Sequence, residues 1–145
     1  MDIGFQAAGH EQATIRAFVL RDKQERFLAF LAKPKSRKKF TNELAHFRWF
    51  DQRFANPVPW KVDPNLKLGE RHLQGIESIC RLLRSKGATR TCWVISEDGK
   101  VYGQEMDLES AVEEVIGSGM GTILSCIPGK LALFAGEDET LLLAR

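Results

Sequence analysis

The strongest constraint on the fold is a change in hydrophobic periodicity at Gly87. Before that residue, apolar side chains recur at steps of three and four, which is the spacing that buries one face of a helix. After it, short apolar runs are separated by turn residues, a pattern typical of strands. The sequence therefore predicts an α+β fold in which the helices come first and the sheet comes last.

Three helices are predicted before Gly87: over residues 12–32, from Ser36 onward, and over residues 70–86. The polar interval 21–26 can bend or divide the first helix, and Pro34 ends it because proline restricts the preceding residue. The proline-rich run that follows the second helix predicts a loop. The residues expected to face the core are Ile15, Phe18, Val19, Phe27, Leu28, Leu31, Phe40, Leu44, Phe47, Leu73, Ile76, Ile79, Cys80 and Leu83.

A ββαβββ unit is predicted after the three N-terminal helices. Its strands are expected at Thr91–Ser96, 100–104, Thr122–Ile127, 130–135 and Thr140–Ala144. Asp98 and Gly99 predict a two-residue hairpin turn in which Gly99 has a positive φ angle and Trp93 pairs with Gln104. Asp107 is the expected N-cap of the intervening helix. Because the other links between strands are short, we expect a mostly antiparallel sheet.

Charge is divided unevenly along the chain. Residues 1–87 contain 17 Lys and Arg against 9 Asp and Glu, whereas residues 88–145 contain 4 against 10. A length of 145 residues predicts one domain, residues 1–145, with a basic helical half and an acidic half that contains the sheet. This asymmetry indicates either a surface that faces a polyanion or two halves that attract each other, and the second interpretation has slightly more weight.

Several classes of protein are disfavoured by composition. No apolar run approaches the ~20 residues of a membrane helix, and the first residues lack the pattern of a secretory signal. The three cysteines lack CxxC spacing, which indicates free, packed thiols in a cytoplasmic protein. The glycines at 117–121 follow a helix and precede a strand, the reverse of a phosphate loop. We therefore expect no cofactor.

The basic turn, defined as residues 33–39, is the main functional candidate. Its side chains Lys35, Arg37, Lys38 and Lys39 fall at and just before the start of the second helix. Cations are electrostatically disfavoured there because the amino end of a helix is positive. The helix amides and these cations together are suited to bind phosphate or sulfate. We therefore predict an anion-binding or nucleic-acid-binding site at these four residues.

A second candidate pocket contains Glu43, His46 and Arg48. Glu43 and His46 lie three residues apart and share one helix face, as in half of a di-iron site. A complete site of that class needs a second such motif and two more glutamates, which the sequence lacks. No metal site is therefore predicted, and a hydrogen bond between His46 and Glu43 is expected instead.

Three hypotheses for function follow from these patterns. The first is a small binding or regulatory domain without catalysis, in which the basic turn meets an anionic macromolecule such as nucleic acid or an acidic protein surface. The second is a structural protein that self-associates, for example as a homodimer. The third is a small enzyme with a site assembled from distant residues, with Cys126 beside Glu43, His46 and Arg48. The sequence favours the two non-catalytic hypotheses.

Overall fold

A computed structural model describes residues 3–44, 49–58, 63–116, 121–136 and 139–145 of the chain. Within these ranges, the side chains of residues 3–8, 34, 37, 38, 41 and 44 are outside the description. In chain order the elements are α1 (Ile3–Phe18), α2 (Arg21–Ala32), a 3-10 turn (Pro34–Ser36), α3 (Arg37–Leu44), β1 (Ala55–Pro57), α4 (Leu68–Ser85), β2 (Thr91–Ser96), β3 (Glu105–Asp107), α5 (Leu108–Val115), β4 (Thr122–Ile127), β5 (Leu131–Ala135) and β6 (Thr140–Ala144).

The described strands form one sheet of six in the order β1-β6-β5-β4-β2-β3. Every strand pair among the described residues is antiparallel. The α+β class, the antiparallel sheet and the ββαβββ order are therefore confirmed. Among the described helices, none is both long and apolar enough to cross a membrane.

Helices cover both faces of the sheet. In β5, Leu131 and Leu133 pack with α4 and α5, whereas Ala132 and Phe134 pack with α1, α2 and α3. This alternation is the period of a strand, in which successive side chains point to opposite faces. Because both faces are buried, the strand is apolar throughout rather than alternating between apolar and polar residues.

The prediction of three N-terminal helices is wrong, because four of the described helices precede β2 and β1 lies among them. The predicted first helix is broken at Val19 and Leu20, just before the polar interval expected to divide it. Val19 forms an antiparallel bridge with Phe50, and the Leu20 N–H donates to the Trp49 carbonyl at 2.9 Å. These pairings with a distant segment replace helical hydrogen bonds, so the helix ends at Phe18.

The predicted proline-rich loop contains the edge strand β1. Ala55, Asn56 and Pro57 pair with Leu143, Leu142 and Leu141 of β6, respectively. Proline has no N–H to donate, and it is therefore tolerated on an edge strand, where one side has no neighbour. Turn residues considered locally do not reveal this strand, because its partner is over 80 positions away in the chain.

The predicted hairpin register is also wrong. Trp93 pairs with Glu105 rather than Gln104, and β3 begins only at Glu105. The Asp98 carbonyl instead accepts the N–H groups of Val101 and Tyr102, at 3.2 and 3.1 Å, which makes a wider turn. The positive φ angle, 76°, belongs to Gly103 and not to Gly99.

Three local predictions about α4 and α5 can be compared directly with the structure. Gly87 has a φ angle of 109° after the last turn of α4, and the Asp107 side chain accepts the Ser110 N–H at the start of α5. Both predictions are confirmed. Leu73, however, is 56% exposed and not part of the buried stripe of α4. Its place near the start of α4 leaves it beside a cavity rather than against the sheet.

The two glycines of the β2–β3 connection provide a matched test. We expect Gly103→Ala to destabilise the fold by about 1 to 2 kcal/mol, because a side chain strains a left-handed backbone. Gly99→Ala should change stability by less than about 0.5 kcal/mol, since Gly99 lacks a positive φ angle and an added Cβ meets nothing within 4 Å. Urea denaturation of both variants measures the difference, and equal losses would contradict the observed register.

Candidate functional site

The basic turn connects α2 to α3 on the surface of the molecule. Lys33 has an extended backbone after α2, and its carbonyl accepts the Ser36 N–H at 2.9 Å. Lys33, Lys35 and Lys39 are exposed. The side chains of Arg37 and Lys38 are outside the described part of the structure, although their backbones form the first turn of α3. The structure therefore places three of the predicted turn's cations at the surface.

Packing beneath the basic turn explains this exposure. Phe40 is fully buried, and its ring meets the ring of Phe27 edge-to-face, with centroids 6.2 Å apart. Such aromatic pairs prefer edge-to-face contact because the positive edge of one ring meets the negative face of the other. Phe40 therefore fixes which face of α3 points inward, as its spacing predicted, while the neighbouring Lys39 points to solvent.

Glu43 is engaged by an arginine from the preceding helix. Arg26 donates from Nε to Glu43 Oε2 at 2.9 Å and from its terminal NH2 to Oε1 at 2.6 Å. This two-pronged geometry matches a guanidinium group to a carboxylate. His46 and Arg48, the other residues of the second candidate pocket, lie outside the described residues. The pairing compensates the charge of Arg26, whereas Lys33, Lys35 and Lys39 of the basic turn form no ion pair with a carboxylate in the described part of the chain.

All three cysteines are buried, as predicted from their apolar neighbours. Burial raises the pKa of the Cys126 thiol to about 12, and it also raises the pKa values of Cys80 and Cys92. The thiolate is the nucleophilic form of cysteine, and at neutral pH these three groups remain thiols. Their environment is that of packed core residues rather than of a catalytic nucleophile.

Polar contacts between α1 and the sheet were not predicted from the sequence. His10 Nδ1 lies 2.7 Å from Ser125 Oγ, and the Tyr102 hydroxyl donates to Glu11 Oε1 at 2.6 Å. The His10 ring also packs 5.3 Å from the Trp93 ring, and burial lowers the pKa of His10 against the opposing effect of Glu105.

A serine hydrogen-bonded to a histidine, as Ser125 is to His10, can act as a nucleophile with the histidine as its base. Ser125 is only 1% exposed, however, so the pair is suited to anchoring α1 rather than to attacking a substrate.

A sequence signal for this contact did exist. Glu11 occupies the same helical stripe as Ile15 and Phe18, and it is buried. Polar residues on an apolar stripe require hydrogen-bond partners in the core, because an unpaired buried polar group is costly. The partner itself was not predictable, since Tyr102 lies 91 positions from Glu11.

Other site chemistries have no support among the described residues. In those parts of the chain, no group of three or more His, Cys, Asp or Glu side chains is arranged to hold a metal ion. Comparisons with protein-family models, curated proteins and solved structures gave no match. The function is therefore inferred from the geometry and charge of this chain alone.

The thiols provide a direct test of the non-catalytic interpretation. We expect native protein to react with a disulfide reagent such as Ellman's at least about tenfold more slowly than protein unfolded in guanidinium, because burial suppresses the thiolate. A Lys86→Cys variant, with one exposed thiol, is the positive control and should release about one equivalent at once. Immediate labelling of one native cysteine would contradict the prediction and favour the enzyme hypothesis.

Proposed function

We propose that this chain is a non-catalytic binding domain that meets an anionic macromolecule, nucleic acid or an acidic protein surface, through the basic turn. The observation that supports this most directly is the exposure of Lys33, Lys35 and Lys39 at one connection. None of the three forms an ion pair with a carboxylate in the described part of the chain, whereas nearby Arg26 does.

The energetics of this placement support the proposal. Lys35 and Lys39 lie at the amino end of α3, whereas Lys33 is the C-cap of α2. Cations at the amino end of a helix lose typically about 0.3 to 1 kcal/mol at low salt because they meet the positive end of the helix dipole. A polyanion placed there would be attracted both by the lysines and by the helix amides, so the unfavourable charge becomes favourable on binding.

Three free, buried thiols are compatible with a reducing compartment, and we propose the cytoplasm as the location.

Salt dependence is the signature of such binding. With about three or four phosphate contacts, log K for a DNA duplex should fall with log salt at a slope near −3, because each contact releases condensed counterions. Removing Lys35 and Lys39 as the double Gln variant should reduce the slope by about 2 and weaken all sequences alike. Fluorescence anisotropy over a salt series measures both values.

A matched variant controls for total charge. Lys86→Gln combined with Lys100→Gln removes two exposed lysines outside the basic turn and should leave the slope unchanged. If the two double variants reduce the slope of log K against log salt by the same amount, DNA contacts a different surface. If the parent binds neither duplex nor single strands at low salt, the proposed partner is not nucleic acid, and an acidic protein remains to be tested.

A second candidate function, self-association, is favoured by the exposed leucines of α4. Leu68 is 83% exposed and Leu73 is 56% exposed. Leu73 also lines a cavity of about 430 Å³ between α4 and α5, together with Ile76 and Cys80. The cavity is also lined by five charged residues, Glu77, Arg81, Arg84, Glu109 and Glu113, so its apolar floor has a polar rim. Exposed apolar side chains with a polar rim are a common feature of protein contacts.

Analytical ultracentrifugation over a range of protein concentrations tests this candidate. A dimer formed through the leucines should persist at high salt and be weakened by Leu68→Gln with Leu73→Gln, because apolar burial is not screened by ions. A dimer formed by the basic half of one copy against the acidic half of another should instead dissociate at high salt and in the Lys35→Gln, Lys39→Gln variant. A monomer at every concentration would contradict both forms of self-association.

A further inference from the structure

Four arginines from separate parts of the chain line one cavity of about 260 Å³, here called the arginine cavity. Arg16 is near the end of α1, Arg21 begins α2, Arg53 lies in the turn before β1, and Arg145 follows β6. None of these residues belongs to the basic turn. The cavity is at the opposite end of α2 from that turn, about 18 Å away by the rise of a 12-residue helix.

Two of the guanidinium groups are held in fixed positions. Arg145 donates to the Ala17 carbonyl at 3.2 Å, and its guanidinium lies 4.6 Å from the centre of the Phe54 ring. Arg53 lies over the same ring at 5.2 Å, and it also binds Asp51 through Nε and its terminal NH2. Attraction to the π-electrons of the Phe54 ring stabilises both cations. The two cations are thus positioned before any ligand arrives.

The positive charge of the cavity is not balanced by its own residues. Asp51 has the single carboxylate side chain among its described lining residues, and hydrogen bonds from Arg53 lower the pKa of Asp51 and occupy both of its oxygens. Arg16 and Arg21 are exposed and form no ion pair with any carboxylate in the described part of the chain. Like charges that converge on one concave surface repel each other and raise the local concentration of anions.

The main chain adds to the positive electrostatic potential of the arginine cavity. Arg21 is the first residue of α2, and the N-cap residue Leu20 makes no side-chain capping hydrogen bond. The amino end of a helix bears a partial positive charge on N–H groups without helical partners. The helix end is a secondary contribution here, and the convergence of the four guanidinium groups is the main one.

We propose that the arginine cavity binds the phosphate group of a phosphate monoester. Arginine forks match the oxygens of phosphate, and a dianion offsets most of the positive charge that Asp51 does not neutralise. The cavity is smaller than the roughly 300 to 1,000 Å³ of pockets that enclose drug-sized ligands, so it fits a compact anionic group with the rest of its carrier outside. No aromatic side chain is among the cavity's described lining residues, so the cavity offers no ring for stacking a base.

Titration with inorganic phosphate at constant ionic strength tests this proposal. The probe signal is the Nε–H resonance of the arginines in two-dimensional proton–nitrogen NMR spectra. We expect saturable shifts of the Arg53 and Arg145 signals, and roughly tenfold weaker phosphate binding in the Arg16→Gln, Arg21→Gln variant, since two charge contacts are removed. These two side chains make no described ion pair, so the variant should keep the fold.

Two control variants test whether phosphate binds at the arginine cavity or responds only to the total positive charge. Arg81→Gln with Arg90→Gln removes two exposed arginines elsewhere and should keep phosphate affinity within about twofold. The Lys35→Gln, Lys39→Gln variant should also keep its affinity for phosphate. A failure of the proposed polyanion binding at the basic turn can therefore be distinguished from a failure of phosphate binding at the arginine cavity. Resonance shifts that do not saturate with phosphate would overturn the proposal. An equal loss of phosphate affinity in the Arg16→Gln, Arg21→Gln variant and the Arg81→Gln, Arg90→Gln variant would also overturn it.

The source of the phosphate monoester can be distinguished by the same variants. Glycerol 3-phosphate tests a soluble ligand, and co-sedimentation with phosphatidylcholine vesicles that contain phosphatidic acid tests a lipid headgroup. Binding of either probe that is weakened in the Arg16→Gln, Arg21→Gln variant supports the site and identifies its source. Binding of neither probe contradicts a phosphate monoester as the ligand.

Discussion

Burial of the sheet on both faces is the constraint on which the rest of the structure depends. The central strands β4 and β5 present apolar side chains to both sides, so each side requires a helical cover. The cover on one face consists of α4 and α5, and the other consists of α1, α2 and α3. The faces of these central strands are therefore unavailable for binding, which leaves the edges of the sheet, the outer sides of the helices and the connections between them as binding surfaces.

The parts of the fold that were predictable from sequence are those determined within a few residues. β4 and β6 begin and end where their apolar runs do, Gly87 follows α4 in a left-handed conformation, and Asp107 caps α5. The missed parts depend on distant partners. β1 exists because β6 offers a free edge, and the register of β3 depends on how the Asp98 turn is hydrogen-bonded. Local propensity cannot report either fact, because tertiary pairing overrides it.

The same distinction applies to the candidate sites. The exposure of Lys39 was predictable because Phe40 lies next to it at a core position and the two side chains point in different directions. The partner of Glu43 was not predictable from helical spacing: Arg26, 17 positions earlier in α2, binds its carboxylate. Helical spacing identifies neighbours on one helix, whereas the contacts between α2 and α3 depend on how the two helices pack.

The break between α1 and α2 links the largest error in the predicted fold to the site that the sequence did not predict. On a continuous helix, Arg16 and Arg21 would be five residues apart and would therefore point about 140° away from each other. The break at Val19 and Leu20 removes this restriction. Hydrogen bonds to residues 49–51 then fix the orientation of α2 relative to α1. The segment that breaks the helix also positions Arg53 beside the gap it opens. The hydrogen bonds that interrupt the predicted helix thus assemble the arginine cavity. The prediction of a helix over residues 12–32, to be bent or divided by the polar interval 21–26, did not include these distant partners and therefore missed both the break at Val19 and Leu20 and the cavity.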